Sequence, residues 1–160
     1  MNLILIRKIQ GLLQQFQKGD NEAREMLLNL LRPGVAYLLS RSIASSNVGA
    51  FTEDALRYIL DSAQFGSAEQ LIRTALETVH TICGANADKT AREVRVAQDL
   101  LLEIASLPEL TREVLYRYYA ARESPEEICI NMNLSNEDFR RLRGEGKAAL
   151  DRTRQEKGLN

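Results

Sequence analysis

The chain has 160 residues, of which 44% are apolar and 27% are charged, a composition typical of globular rather than disordered or fibrous proteins. Its 21 Lys and Arg residues balance 22 Asp and Glu residues, so binding to nucleic acid requires a local basic patch. One His, two Cys and no Trp leave too few ligands for a Cys/His zinc site and disfavour a His-based catalytic triad. We therefore expect a protein that is not an enzyme and works without a cofactor.

Apolar residues recur at spacings of three and four through most of the sequence, which predicts an all-α fold. A first helix is predicted over residues 5–16, with Gly19 ending it and Asp20 offering an N-cap for the next helix. Pro33 and Gly34 are predicted to break or bend this second helix before the helical spacing resumes.

The next two predicted helices begin at polar capping residues. Thr52 precedes the acidic residues Glu53 and Asp54, which suit a first helical turn because the N-terminal end of the helix dipole is positive. Ser67 and Gln70 have the spacing of a capping box. The third helix is therefore expected to start near Thr52 and the fourth near Ser67.

Residues 84–89, GANADK, form a short segment of small and polar side chains and are the best candidate for a domain boundary. Beyond this segment, the apolar spacing predicts further helices that include Val94 and that open at Pro108. We therefore predict a helical domain at 1–84, a linker at 85–92 and a second helical domain at 93–160.

The cysteines and the apolar segments both bear on the location of the protein. Cys83 and Cys129 lie far apart in the sequence and are expected to be free thiols in a reducing compartment. No apolar run reaches the roughly 18 residues that a membrane helix needs. We therefore predict a cytoplasmic protein without a membrane partner.

The capping signals are densest near residue 124. Ser124 is a predicted N-cap, Pro125 takes the first helical position, and Glu127 completes a capping box. This helix is predicted to be short, because Asn133 tolerates the left-handed conformation that ends helices. Ser135 then caps a longer helix. A short helix, a tight turn and a longer helix have the plan of a helix-turn-helix.

The second helix of such a motif presents its outward side to the major groove and its basic residues to phosphates. The candidate DNA-binding residues on that helix are Asn136, Arg140, Arg141, Arg143 and Lys147. Between residues 135 and 157, seven basic residues exceed five acidic ones by only two, so we expect weak binding that depends on a partner which also holds the DNA. Such helix pairs also occur as plain packing units in all-α proteins, and this alternative stays open.

Two longer patterns cover most of the chain. Residues 107–135, LPELTREVLYRYYAARESPEEICINMNLS, resemble the promoter-binding carboxy-terminal domain of sigma factors of the sigma-70 family. Residues 12–41, LLQQFQKGDNEAREMLLNLLRPGVAYLLSR, are similar to the opening of the other sigma domain, and Glu53 and Asp54 continue this likeness. The short length resembles the two-domain extracytoplasmic-function (ECF) subgroup.

The resemblance implies a transcription initiation factor. Its first domain would bind core RNA polymerase and melt the minus-ten element, while its second domain would read the minus-thirty-five element as duplex promoter DNA. The positions that correspond to the family's polymerase contact are Glu53, Asp54, Arg57 and Tyr58. A regulatory partner such as an anti-sigma factor is implied by the resemblance alone.

Two other functions stay open from the sequence. The segment 71–89, where sigma factors carry basic and aromatic residues for promoter melting, contains no Phe, Tyr or Trp. This difference and the weak charge favour a sigma-like protein-interaction module that a regulatory partner binds, with weak or no promoter melting. A stand-alone helix-turn-helix repressor is the third hypothesis, and it requires a dimer that reads two half-sites.

Overall fold

The computed structural model describes residues 2–61, 66–84 and 91–156, and the all-α prediction is confirmed over these ranges. The helices are α1 (Leu3–Gln17), α2 (Asn21–Ser40), α3 (Val48–Asp61), α4 (Ala68–Ile82), α5 (Ala91–Ser106), α6 (Glu109–Tyr119), α7 (Pro125–Met132) and α8 (Asn136–Glu156), with a 3₁₀ turn at Ser45–Asn47. None of these described helices is long and apolar enough to cross a membrane. The predicted linker at 85–92 lies mostly outside the described residues.

Two of the predicted helix starts are confirmed by side-chain caps. Asp20 Oδ1 accepts hydrogen bonds from the backbone N–H groups of Glu22 at 2.9 Å and Ala23 at 3.2 Å, at the start of α2. Ser67 Oγ accepts from the backbone N–H of Gln70 at 3.3 Å, at the start of α4. Each cap satisfies an N–H group that the first helical turn leaves without a partner inside the helix.

The start of α3 differs from the prediction. The helix begins at Val48, four residues before Thr52, so Thr52 is not its N-cap. The Thr52 side chain is fully buried, and its hydroxyl donates to the Val48 carbonyl at 2.6 Å. Val48 is fully buried as well. Burial of both residues on one side of the helix therefore overrides the local preference of Thr for a capping position.

Pro33 and Gly34 do not break α2, which continues from Asn21 to Ser40. Both residues are buried, and Gly34 lies against α5. A Cβ atom added at Gly34 would lie 2.5 Å from Leu101 Cδ1 and 3.4 Å from the Leu101 backbone. The absence of a side chain at this position therefore allows α2 and α5 to approach each other closely.

The largest buried cluster joins helices from both predicted domains, with α2 at its centre in contact with α1, α3, α4, α5 and α6. Leu101, Leu102 and Ala105 of α5, with Ala120 after α6, are buried in this cluster. Burying the two leucines contributes about 3–6 kcal/mol at the usual value per side chain. We call the contact of α2 with α5 and α6 the seam. The division into domains at 1–84 and 93–160 stays a prediction.

Two smaller clusters hold the last helices together. The first is buried between α6, α7 and α8 and consists of Val114, Ile128, Phe139 and Leu142. The second joins α5 to α8 and consists of Val96, Leu100, Ile104 and Leu150. Tyr37 of α2 packs against the second cluster, so α8 is connected to α2 as well as to α5.

Candidate nucleic-acid interface

Helix α7 begins at a complete capping box, as the sequence predicts. Ser124 Oγ accepts a hydrogen bond from the Glu127 backbone N–H at 3.1 Å, and the Ser124 backbone N–H donates to Glu127 Oε2 at 2.9 Å. Pro125 occupies the first helical position, where its missing N–H removes no helical hydrogen bond. The first residue of α7 is therefore set by three neighbouring side chains.

A tight turn connects α7 to α8. Asn133 ends α7 in the left-handed conformation, with φ 53° and ψ 49°. The Leu134 backbone N–H donates to the Cys129 carbonyl at 2.9 Å and closes the turn. Ser135 Oγ accepts from the Asp138 backbone N–H at 3.0 Å at the start of α8. These hydrogen bonds produce the short helix, tight turn and long helix that the sequence predicts.

One side of α8 packs against the neighbouring helices, and this packing fixes which residues of α8 face solvent. Phe139 is buried in the cluster between α6, α7 and α8, and Leu150 is buried against α5. A Cβ atom added at Gly146 would lie 2.8 Å from both methyl carbons of Leu115, so the glycine lets α6 and α8 pack closely. The opposite side of α8 is therefore left to solvent.

Most of the predicted DNA-binding residues lie along one side of α8. Asn136, Arg140, Arg143, Lys147 and Arg154 are separated by four, three, four and seven residues, which aligns them on the helix, and we call this set the polar stripe. Asn136, Arg140 and Lys147 are exposed. Arg140 and Lys147 form no ion pair with any residue in the described ranges. Both cations are therefore available to an anionic partner.

Arg143 is half-buried and lies against aromatic rings. Its guanidinium carbon is 5.2 Å from the Tyr118 ring centroid and 5.7 Å from that of Phe139. Its Nη1 also donates to the Tyr118 hydroxyl at 3.4 Å. Cation–π contacts of this kind hold a guanidinium in place. Of the predicted residues on the polar stripe, Arg143 is therefore the least available to a partner.

Arg141 lies on a neighbouring side of α8 and is paired within its own helix. Its guanidinium lies 3.4 Å from Asp138 Oδ1 and 3.4 Å from Glu145 Oε1. Hydrogen bonds to Asp138 and then Glu145 raise the pKa of Arg141 above its usual value. The two carboxylates offset its positive charge, so Arg141 and Arg140 are not equivalent although they are adjacent in sequence.

Sequence reasoning missed Arg154 as a site residue, although its spacing of seven from Lys147 was a usable signal. Arg154 is half-buried, and its guanidinium carbon lies 5.4 Å from the Tyr37 ring centroid. Its Nη2 donates a hydrogen bond to the Tyr37 hydroxyl. Arg154 therefore belongs to the polar stripe by position but is held by a side chain of α2.

The four residues predicted to bind polymerase share one side of α3, and we call Glu53, Asp54, Arg57 and Tyr58 the α3 face. All four are exposed, and Tyr58 has 61% of its surface accessible. Glu53 Oε1 lies 2.8 Å from Nε of Arg32, which connects this face to α2. The structure brings the four residues together, and their role stays a prediction.

The chain matches no family model and no curated protein significantly. The two exposed surfaces that the sequence singled out are the free part of the polar stripe and the α3 face.

Proposed function

We propose that the chain is an ECF-like sigma factor, a transcription initiation factor that binds core RNA polymerase and directs it to promoters through α7 and α8. The observation that carries the proposal is the exposed part of the polar stripe, Asn136, Arg140 and Lys147, which borders the buried side of the second helix of a capped helix-turn-helix. In such motifs exposed residues near the start of the second helix contact base edges in the major groove. A cytoplasmic location goes with this proposal.

The positions along α8 suit different contacts with DNA. Asn136 and Arg140 lie in the first turns, where an amide can form two hydrogen bonds with adenine and a guanidinium can do so with guanine. Lys147 lies eleven residues after Asn136, which is about 16 Å along the helix axis, so it suits a phosphate. Two residues would therefore read bases, and one would fix the position of the helix.

The affinity of the chain alone for DNA is expected to be low. On duplex DNA without a specific site, where Arg140 is free to contact phosphate as well, the two free cations neutralise two phosphates at most, so the slope of log K against log salt is no steeper than about −1.8. The net charge of −1 adds no general attraction. Core polymerase, bound through the α3 face, would supply the remaining affinity by holding both protein and DNA.

The test combines the full chain, bacterial core RNA polymerase and a random pool of duplex DNA. We expect the complex to enrich duplexes that share a motif, and Arg140→Ala to reduce affinity for that motif by about 5- to 150-fold, the value of one bidentate base contact. Arg152→Ala is the matched control, because Arg152 is exposed on α8 away from the polar stripe. The proposal is contradicted if the chain does not bind polymerase or if Arg140→Ala selects the same motif with the same affinity.

A second candidate is a sigma-like protein-interaction module whose main partner is a regulatory protein. The α3 face favours this candidate, because it surrounds an exposed aromatic side chain, Tyr58, with charges of both signs. Exposed Tyr residues are common at the centre of protein interfaces. A pull-down with wild type and Tyr58→Ala from native lysate tests it. Recovery of RNA polymerase as the main Tyr58-dependent partner would favour the sigma factor instead.

A further inference from the structure

The polar stripe contains one cation that is held by the amino-terminal part of the chain. Arg143 is held by Tyr118 of α6, which belongs to the same three-helix unit as α8. Arg154 is instead held by Tyr37 of α2, 117 residues away in the sequence. Release of Arg154 from α2 would therefore add a third free cation to Arg140 and Lys147, while Arg143 stays held within the three-helix unit.

Tyr37 is fixed at the seam by its neighbours. Its ring meets the ring of Tyr119 edge to face, with centroids 6.4 Å apart. A small crevice on the seam is lined by Pro33, Tyr37, Tyr119 and other apolar side chains. Burial raises the pKa of Tyr37 above its usual value, more than nearby Arg154 lowers it, so the phenol stays neutral. Among the described residues, Arg154 is therefore held by a neutral group and forms no ion pair.

The contact leaves Arg154 incompletely satisfied. Its Nε atom is buried and has no hydrogen-bond acceptor within the described part of the chain. A phosphate can accept two parallel hydrogen bonds from a guanidinium and also carries the opposite charge. Arg154 would therefore form stronger interactions with a nucleic-acid backbone than it forms with Tyr37.

We propose that the contact of Tyr37 with Arg154 is an autoinhibitory latch, in which α2 holds the last cation of the polar stripe away from the phosphates of bound DNA. The latch rests on the proposed function, because it regulates the same DNA-binding side of α8. Separation of α2 from α5 and α6 at the seam releases Arg154 and adds one phosphate contact. A partner that binds the amino-terminal helices and draws α2 away then strengthens DNA binding by α8.

The test measures the salt dependence of binding to a labelled 30-base-pair random duplex by fluorescence anisotropy. Tyr37→Leu removes the hydroxyl and the ring face but keeps an apolar side chain at the seam. We expect its slope of log K against log salt to be steeper than that of wild type by about 0.9, the value of one phosphate contact. The double variant Tyr37→Leu/Arg154→Ala is expected to return to the wild-type slope.

Tyr116→Leu is the matched control, because Tyr116 is a half-buried tyrosine of the same seam and is not in contact with Arg154. Its slope is expected to equal that of wild type. Arg154→Ala alone is also expected to leave the wild-type slope unchanged, since the latch keeps Arg154 from the DNA. If the slope of this variant is less steep than that of wild type by about 0.9, Arg154 already contacts phosphate in the wild-type protein, and the latch is overturned.

A second variant acts on the seam without touching the latch. Gly34→Ala places a Cβ atom against Leu101, and we expect it to separate α2 from α5 and to steepen the salt slope as Tyr37→Leu does. If circular dichroism shows that Tyr37→Leu does not fold, the salt slope of Gly34→Ala tests the latch in its place. Equal slopes in folded variants and wild type overturn the latch alone, provided that Arg140→Ala still weakens binding. If neither wild type nor the variants bind duplex DNA, the latch is wrong, whereas the proposed function is decided by the experiment with core polymerase.

Discussion

Helices α7 and α8 differ from helices α2 and α3 in what determines their ends. The start of α7 at Ser124 and its end at Asn133 are set by side chains within a few residues. In contrast, α2 continues through Pro33, and α3 begins at Val48, because these residues are buried against other helices. Local capping therefore controls the helix-turn-helix, whereas packing overrides local preference in the amino-terminal core.

The two regions would also have to reach DNA elements that are far apart if the proposed function is right. The minus-ten and minus-thirty-five elements lie about 25 base pairs apart, or about 85 Å at the rise of duplex DNA. A compact chain of 160 residues has a radius of gyration of about 15 Å. A sigma factor that reads both elements at once would therefore have to separate its amino-terminal helices from its helix-turn-helix at the seam.

The largest expected effect is on the seam itself. Leu101→Ala should lower the free energy of unfolding by about 2–5 kcal/mol, because it leaves a cavity where a fully buried leucine contacts the amino-terminal helices. Urea unfolding followed by circular dichroism measures the loss. Leu110→Ala, at a leucine with 55% of its surface accessible, is the control and should change stability by less than about 0.5 kcal/mol. Equal effects of the two variants would mean that the seam contributes little.

A pair of glycine variants separates packing from helix propensity. Gly34→Ala should lower the free energy of unfolding by about 1–3 kcal/mol, because its Cβ atom meets Leu101. Gly11→Ala should raise it by up to about 1 kcal/mol, because nothing lies within 4 Å of the added Cβ atom and Ala is the better helix former. Thermal and urea unfolding of both variants measure the contrast. The same sign for both changes would contradict the close approach of α2 and α5.

A smaller effect is expected in the helix-turn-helix. Ser124→Ala removes the capping box and should cost about 1 kcal/mol. Hydrogen exchange should accelerate in α7 and leave the amides of α2 unchanged, because the cap acts locally. Ser106→Ala is the control, since the Ser106 hydroxyl donates to the Glu103 carbonyl of its own helix, at 2.7 Å, and caps no helix start. Faster exchange throughout the chain after Ser124→Ala would contradict a local role.

The smallest effect on stability is expected at Arg141. Its ion pairs with Asp138 and Glu145 are exposed, and exposed pairs contribute little because water and salt screen them. Arg141→Ala should leave the unfolding midpoint unchanged and reduce selection of the DNA motif less than Arg140→Ala does. If Arg141→Ala has the larger effect on motif selection, the DNA-binding side of α8 is assigned incorrectly.

Much of the candidate site could be predicted from the sequence, but the differences between its arginines could not. Arg140 and Arg141 are identical neighbours in the sequence, yet they point about 100° apart around a helix with 3.6 residues per turn. Arg140 is therefore exposed to solvent, and Arg141 lies between the carboxylates of Asp138 and Glu145. Arg143 contacts aromatic rings from α6 and from its own helix, a packing that the order of residues does not specify.

The all-α class, the caps at Asp20, Ser67 and Ser124, and the turn at Asn133 followed from residue types alone, because a cap or an apolar repeat acts within a few residues. The seam and the hold of Tyr37 on Arg154 followed from packing, because they join residues far apart in the chain. Whether such residues meet depends on how whole helices fit together, and no short segment contains that information.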